Sequence, residues 1–314
     1  NPDINDDGTL GDDLSSPSLA FADPGGNSVI TAAAVDAQLA SGGVTLQATN
    51  NLSVNAAING AFNSLTLQAG NDILVNAPIN LGTGSLVLSA NDPNGFPSGF
   101  GAVTLNAPIT AGSLFATNGG GSGSHTFASN ITTGTLDING NVTLGAANTW
   151  TLQSGTSVIS NIISGTGSLT LAGPGTLELG APNSYSGGTT VDAGTLRLNN
   201  SGAVAGTGNI ALNAGATLDL TGNAVVNNTL ILSGGTVSNS LGAGTVNGAM
   251  VLVSDSTFTS DGSGLAVAGG VGGGAGIITG GTGTVTLGGV NTYGGNTSVT
   301  VPVPPVMMPA PPPT

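Results

Sequence analysis

The chain has no cysteine and no lysine, a single arginine (Arg197), a single histidine (His125) and a single tryptophan (Trp150). Without cysteine there is no disulfide framework, no thiolate metal ligand and no thiol nucleophile. One cation faces 15 acids, for a net charge of -14, so no basic face can be built to meet phosphate. Nucleic acid is therefore excluded as a partner, and an anionic membrane surface is disfavoured. Only 5% of residues are charged, against about 25% in an ordinary soluble domain. Long apolar runs are missing as well. The longest stretch without a polar side chain, Gly264 to Ile278, is mostly Gly, Ala and Val and too short to span a bilayer. No membrane insertion of this segment is expected. No basic and apolar leader precedes Asn1, so a signal peptide is expected to be absent from this chain.

What is abundant is glycine, 55 of 314 residues, together with short alternating runs such as Val44-Thr45-Leu46, Leu65-Thr66-Leu67 and Leu86-Val87-Leu88. Gly, Asn or Ser bounds each run, which is the signature of strands separated by turns. The runs repeat. GVTLQATNNLSVNAAIN (Gly43 to Asn59) aligns with SLTLQAGNDILVNAPIN (Ser64 to Asn80) at an offset of 21, and Leu65 steps to Leu86 by the same 21. VNAPIN (from Val75) and LNAPIT (from Leu105) lie 30 apart, and the surplus falls on the Pro- and Gly-rich stretch from Asn91 to Gly101, read as a loop leaving one coil. A fixed period of this size predicts an all-β, parallel β-solenoid. Each coil cannot bury its own apolar face, and stacking at about 4.8 Å makes one continuous core. Roughly 13 coils would give a rod on the order of 60 Å.

A longer repeat occupies the C-terminal half. GPGTLELGAPNSYSGGTTV (Gly173 to Val191) aligns without a gap with GTGTVTLGGVNTYGGNTSV (Gly281 to Val299), offset 108, and superposes the only two tyrosines, Tyr185 and Tyr293. Residues Ser164 to Leu198 resemble the autotransporter-associated β-strand repeat, with its G-x-L-x-L-x-G and N-x-Y-x-G-x-T pattern. The stretch Ile30 to Asn59 is similar to the repeats of filamentous-haemagglutinin-like exoproteins. These resemblances imply a right-handed parallel β-helix of passenger type, secreted to the surface of a Gram-negative type of cell, and supply no catalytic motif to carry over. The chain is accordingly divided into an acidic segment (1–27), haemagglutinin-like coils (28–163), autotransporter-type repeats (164–300) and a Pro-rich tail (301–314).

Candidate chemistry is sparse. DINDDG (Asp3 to Gly8) matches the start of a calcium loop, with Asp3, Asn5 and Asp7 as alternate oxygen ligands and Asp12 and Asp13 near the place of the missing twelfth-position acid, where Leu14 stands. Calcium is thus the one cofactor the sequence suggests, against a plain solvated acidic end. Among the repeat-region acids, Asp137, Glu178, Asp192 and Asp219 could in principle pair for glycoside hydrolysis. Glu178, in TLEL between inward leucines, should project outward, and Arg197 is too little basic apparatus for lyase chemistry. No enzymatic role is expected. His125, inside GGGSGSHTFASN, reads as a surface or loop residue, Trp150, Phe115 and Phe127 as core, and the two tyrosines as a structural slot. Thr31 to Ala40 should form one short helix, N-capped by Thr31, shielding an edge of the first coils. The expected function is a non-catalytic extracellular fibre or surface protein for adhesion, aggregation or matrix building; the alternatives are a carbohydrate-binding or polysaccharide-cleaving β-helix module and a passive stalk of a larger adhesin. Open coil ends suggest a homo-oligomer or head-to-tail filament, and long uncharged ladders suggest weak multivalent contact with a host or matrix glycan.

Overall fold

The computed structural model describes residues 18–19, 30–92, 99–120, 123–202 and 204–300. The calcium-loop residues Asp3, Asn5, Asp7, Asp12 and Asp13, and the Pro-rich tail from Val301, lie outside them. The described chain is an all-β parallel solenoid of about 12 turns with about 21 residues per coil and one short helix. Strands stack into a 15-stranded, an eight-stranded, a six-stranded and a four-stranded sheet, all their ladder pairings parallel. The six- and four-stranded sheets occupy the same side of the coil in its first and second halves, so the rod has three sides. In the first coil these are represented by Val44–Ala48, Leu52–Val54 and Ile58–Asn59.

Alternation builds this core. In TLEL, TLRL and TLDL the leucines face inward, so Leu177, Leu196 and Leu218 stack at one position and Leu179, Leu198 and Leu220 at the next. On the long sheet the inward column runs Ile58, Ile79, Ile109, Ile131, Trp150, Leu171, Val191, Leu212, Leu232 and Leu252. Each residue covers its neighbours one rung away, which makes stability a sum of nearest-neighbour terms. The offsets read from the sequence are the registers of the ladder. Val44 pairs with Leu65, Leu65 with Leu86, and Val75 with Leu105 across the inserted loop. Pairing also crosses residue 164 without interruption, Asn148–Leu152 lying against Leu169–Ala172.

The helix forms at Ala32–Leu39, where Thr31 accepts a hydrogen bond from the Ala34 amide at 3.2 Å, as an N-cap should. Its buried face, Val35 and Leu39, lies on the first coil, and it is tied there by Asn59 N–H to Asp36 (2.7 Å) and by Asn63 Nδ2 to the Leu39 carbonyl (2.7 Å). This covers part of a sheet edge that would otherwise invite pairing. At the other limit of the described residues no described element covers the last coil. Val285 and Leu287 are half-buried, and Val290 and Val299 are 82% and 68% exposed.

The 108-residue repeat behaves differently from the 21-residue one. Leu169–Ala172 belongs to the 15-stranded sheet, but its counterpart Ile277–Gly280 belongs to the eight-stranded sheet. The same shift moves Thr176–Leu179 from the eight-stranded to the four-stranded sheet as Val285–Leu287. The motif therefore specifies a strand, a corner and the next strand, and leaves open which side of the rod they occupy.

Candidate functional site

The tyrosine motif is a corner clamp. Asn183 accepts the Ile163 N–H at 2.7 Å and donates to the carbonyls of Ala181 (3.0 Å) and Val204 (2.7 Å), joining three consecutive coils. Tyr185 is fully buried, and its hydroxyl lies 2.6 Å from Thr189 Oγ1. Because Thr189 donates its own proton to the Ala205 carbonyl (3.0 Å), Tyr185 is the donor in that bond. Burial pushes the phenol well above its ordinary value, which keeps that proton in place. Tyr293 repeats the arrangement with Thr297 at 2.6 Å, and Asn291 accepts from Val271 N–H at 3.2 Å. The structural slot expected for the tyrosines is what the fold contains.

Two expectations from the sequence are corrected. His125 is not a surface or loop residue. It lies fully buried on the strand His125–Phe127, facing the core between Val103 and Val142. The Gly- and Ser-rich stretch before it resembles a loop, but H-T-F keeps the alternation, and the ring fills a slot occupied one rung away by valines. Its Nδ1 accepts from Val103 N–H (3.0 Å), so Nε2 carries the proton and donates to the Asn139 carbonyl (3.2 Å). Phe115 is not core either. It sits half-buried on the outer side of its strand, because the inward positions there are Leu114 and Ala116. Phe127 and Trp150 are in the core, packed edge to face at 6.2 Å.

Protonating His125 would set an N–H against the Val103 N–H, and burial lowers its pKa from the ordinary 6.5. Above 6.5 the ring is neutral folded or unfolded. As pH falls through 6.5 toward the lower folded value, the unfolded chain takes up a proton that the folded one refuses, and stability drops. Denaturant unfolding between pH 7.5 and 5 should show this loss, and His125→Asn, which keeps an acceptor and a donor, should flatten it. An unchanged slope in the variant would refute the assignment, since no other histidine is present.

The four repeat-region acids are not brought together. Asp192 accepts from Asn213 at a corner (2.7 Å), and Asp137 lies on the outer side of Ile131–Asn139 beside Phe115. Glu178 and Asp219 meet through Arg197, one rung from each. Arg197 Nη1 is 3.4 Å from Glu178 and its Nε 3.0 Å from Asp219. Asp219, 3% exposed, also accepts from Ser240 N–H (3.1 Å) and Oγ (2.7 Å), and Glu178 accepts from Asn199. With all three groups paired, this is a structural brace. Sequence reading missed the brace, although stacking TLEL, TLRL and TLDL as rungs places the three residues in one column. Arg197→Met should destabilise by about 1 to 2 kcal/mol in a denaturant titration. A fully buried pair would lose about 3 to 5, but Arg197 is one-third exposed. Among the described residues no group of three or more His, Asp or Glu side chains is placed to hold a metal ion.

The same stacking lines up outward hydroxyls. On the outer side of one face, Ser85, Ser113 and Thr135 align on three successive rungs, and Thr156, Thr176, Thr195, Thr217, Thr236 and Thr257 on six, each run presenting a hydroxyl at one register position. The Ser113 hydroxyl is used internally, bonding Ser85 at 2.8 Å. Among the described residues the side-chain hydroxyls of Thr156, Thr176, Thr195, Thr217, Thr236 and Thr257 find no hydrogen-bond partner.

The described residues thus form a repeat solenoid with structural corner motifs and a long ladder of uncharged hydroxyls. Comparison with known proteins agrees with that class. Residues 164–198 match the passenger-associated-transport-repeat family, so the chain carries an autotransporter passenger β-repeat, as the sequence resemblance implied. The chain is also similar to the adhesin BmaC autotransporter of Brucella suis biovar 1 (strain 1330), 34% identical over 163 residues. The match takes in 52% of the chain and 4% of that relative's length. No solved structure matches, and among the described residues no helix is long and apolar enough to cross a membrane.

Proposed function

We infer that this chain is a stretch of extracellular passenger, displayed at the cell surface, that mediates adhesion without catalysing a reaction. The observation that supports this most directly is the rod itself: some 12 coils of largely uncharged outer ladders, with the one ion cluster among the described residues internally satisfied. Each rung offers little binding energy, but a rigid array of identical groups turns many weak contacts into firm attachment. The similarity to an adhesin points the same way. Self-association is the second part of this reading. A polar head-to-tail filament would need the starting coil to be accessible, and the helix Ala32–Leu39 occupies part of that end. Lateral contact along the sheets is therefore favoured over end-to-end stacking. The test is display of the chain on a non-adherent bacterial cell. Attachment to coated surfaces or cell clumping, relative to cells displaying an unrelated solenoid, supports the reading. No gain in either would refute it.

A further inference from the structure

We propose that the outer face of the eight-stranded sheet, along Thr156, Thr176, Thr195, Thr217, Thr236 and Thr257, is a docking surface for an uncharged, extended polysaccharide that lies parallel to the solenoid axis, about one sugar ring to a rung. This deepens the adhesin reading and rests on it.

Three observations select this face. The first is unspent hydrogen-bonding capacity. A threonine hydroxyl offers one donor and two acceptor sites, and those of these six residues make no bond to any described residue. Successive hydroxyls are a strand spacing of about 4.8 Å apart, too far to satisfy one another and comparable to the advance of one pyranose ring in an extended 1,4-linked chain. The other sides of the rod lack such a run. On the long sheet the matching outer column begins Thr149, Thr170, Thr190 and then turns to Ala211, Ile231, Val251 and Gly272. On the six-stranded sheet Thr143 lies within hydrogen-bonding distance of Ser124 (3.3 Å) and Ser164 (3.5 Å).

The second observation is the neighbouring column. Beside the threonines stand Glu178, Arg197 and Asp219 on successive rungs. Arg197 commits Nε and Nη1 to the two carboxylates, and a guanidinium has five N–H donors in all. The unspent donors of Arg197, whose side chain is one-third exposed, thus lie two residues along the strand, about 7 Å, from the hydroxyl column, where the edge of a sugar ring on that column would meet them.

The third is charge. The three groups sum to a single negative charge, in a chain of net charge -14, so the face has no unmatched cation with which to hold an anionic polymer. It also disfavours a second copy of this chain, which would bring the same negative column against itself. A neutral polyol meets no such penalty.

Binding of linear 1,4-linked β-glucan oligosaccharides of two to eight rings to the whole chain, measured by titration calorimetry with polygalacturonate as the anionic control, tests the proposal. Affinity should rise with length until about six rungs are covered, and polygalacturonate should not bind. The triple variant Thr176→Val, Thr195→Val and Thr217→Val keeps shape on an outward face, so its circular dichroism and thermal midpoint should match the parent while binding weakens at least about tenfold. Serine at the same three positions should retain binding, and Thr149→Val with Thr170→Val and Thr190→Val on the long sheet should leave it unchanged. Glucan binding that the triple valine variant leaves intact, or no binding of the neutral oligosaccharides, would overturn the proposal. So would a dimer in sedimentation that the triple variant abolishes, because it would assign the face to a second copy. A chain that confers adhesion on cells yet ignores the glucan sinks this proposal alone, whereas failure of cell adhesion sinks the reading beneath it.

Discussion

Trp150→Ala should cost about 3 to 5 kcal/mol and open the middle of the rod while its first coils stay folded. The indole is fully buried in the inward column of the long sheet, between Ile131 on one rung and Leu171 on the next, with Phe127 packed against it from the adjacent side. Those partners are themselves pinned by parallel ladders, so they cannot collapse into the space, and the cavity term adds to the lost transfer energy. In a solenoid the loss stays local, because each coil is coupled only to its neighbours. Hydrogen exchange should therefore show faster opening across strands Ile131–Asn139 and Leu169–Ala172. Val44–Ala48 and Leu65–Ala69 should remain protected. Trp150→Phe separates volume from polarity. The indole Nε1 is buried without a hydrogen-bond partner among the described residues, and such an orphan donor costs about 1 to 3 kcal/mol. Removing it offsets much of the lost volume, so the phenylalanine variant should lose less than about 1.5 kcal/mol. Equal losses for the two variants would show that the nitrogen is satisfied after all.

That localisation also says which parts of the structure could be read in advance. The coil period was visible because burial on a strand has period two and the ladder is in register, so an offset of 21 between Leu65 and Leu86 is both a sequence repeat and a physical pairing. The corner motif was visible for the same reason. Asn183, Tyr185 and Thr189 bond over short distances in the chain or to the adjoining coils, and any second copy of the motif must reproduce them. What the repeat could not convey is its position around the rod, and the 108-residue copy is displaced by one side. Features that depend on comparing rungs were harder to see. Glu178, Arg197 and Asp219 are separated by 19 and then 22 residues, and the threonine column steps by similar uneven amounts, because corners absorb extra residues while strands do not. His125 was hidden by its flank: the glycines and serines before it signal a turn, which the structure has at residues 119–120, and the alternation of the strand resumes only at His125 itself. The calcium-type segment around Asp3 to Asp13 lies outside the described residues and remains an expectation.

Gly248→Val should unfold the C-terminal coils, at about 3 kcal/mol or more, and the reason is the spacing between rungs rather than backbone freedom. A Cβ built on Gly248 falls 1.8 Å from the Asn228 carbonyl oxygen and 2.5 Å from its carbon. Neither can retreat, since Asn228 is bonded through Nδ2 to the carbonyls of Gly206 (3.1 Å) and Gly208 (2.6 Å) on the coil before. The clash would be handed on at the same corner, where Gly269 meets the Gly248 oxygen and Gly289 the Gly269 oxygen, at 2.0 and 2.5 Å for their own added Cβ atoms. Even Gly248→Ala should thus be severe. Two other glycines calibrate the effect. Gly215 has a positive φ of 83° but open space around its absent Cβ, so Gly215→Ala should cost about 1 to 2 kcal/mol from backbone strain alone. Gly42 has open space and no such φ, and its alanine variant should be near neutral. Thermal or urea unfolding of the three alanine variants should rank them Gly248, then Gly215, then Gly42. If Gly248→Ala proved as mild as Gly42→Ala, the corner would have to be looser than its carbonyl contacts allow, and the glycine column would lose its role in setting how closely the coils stack.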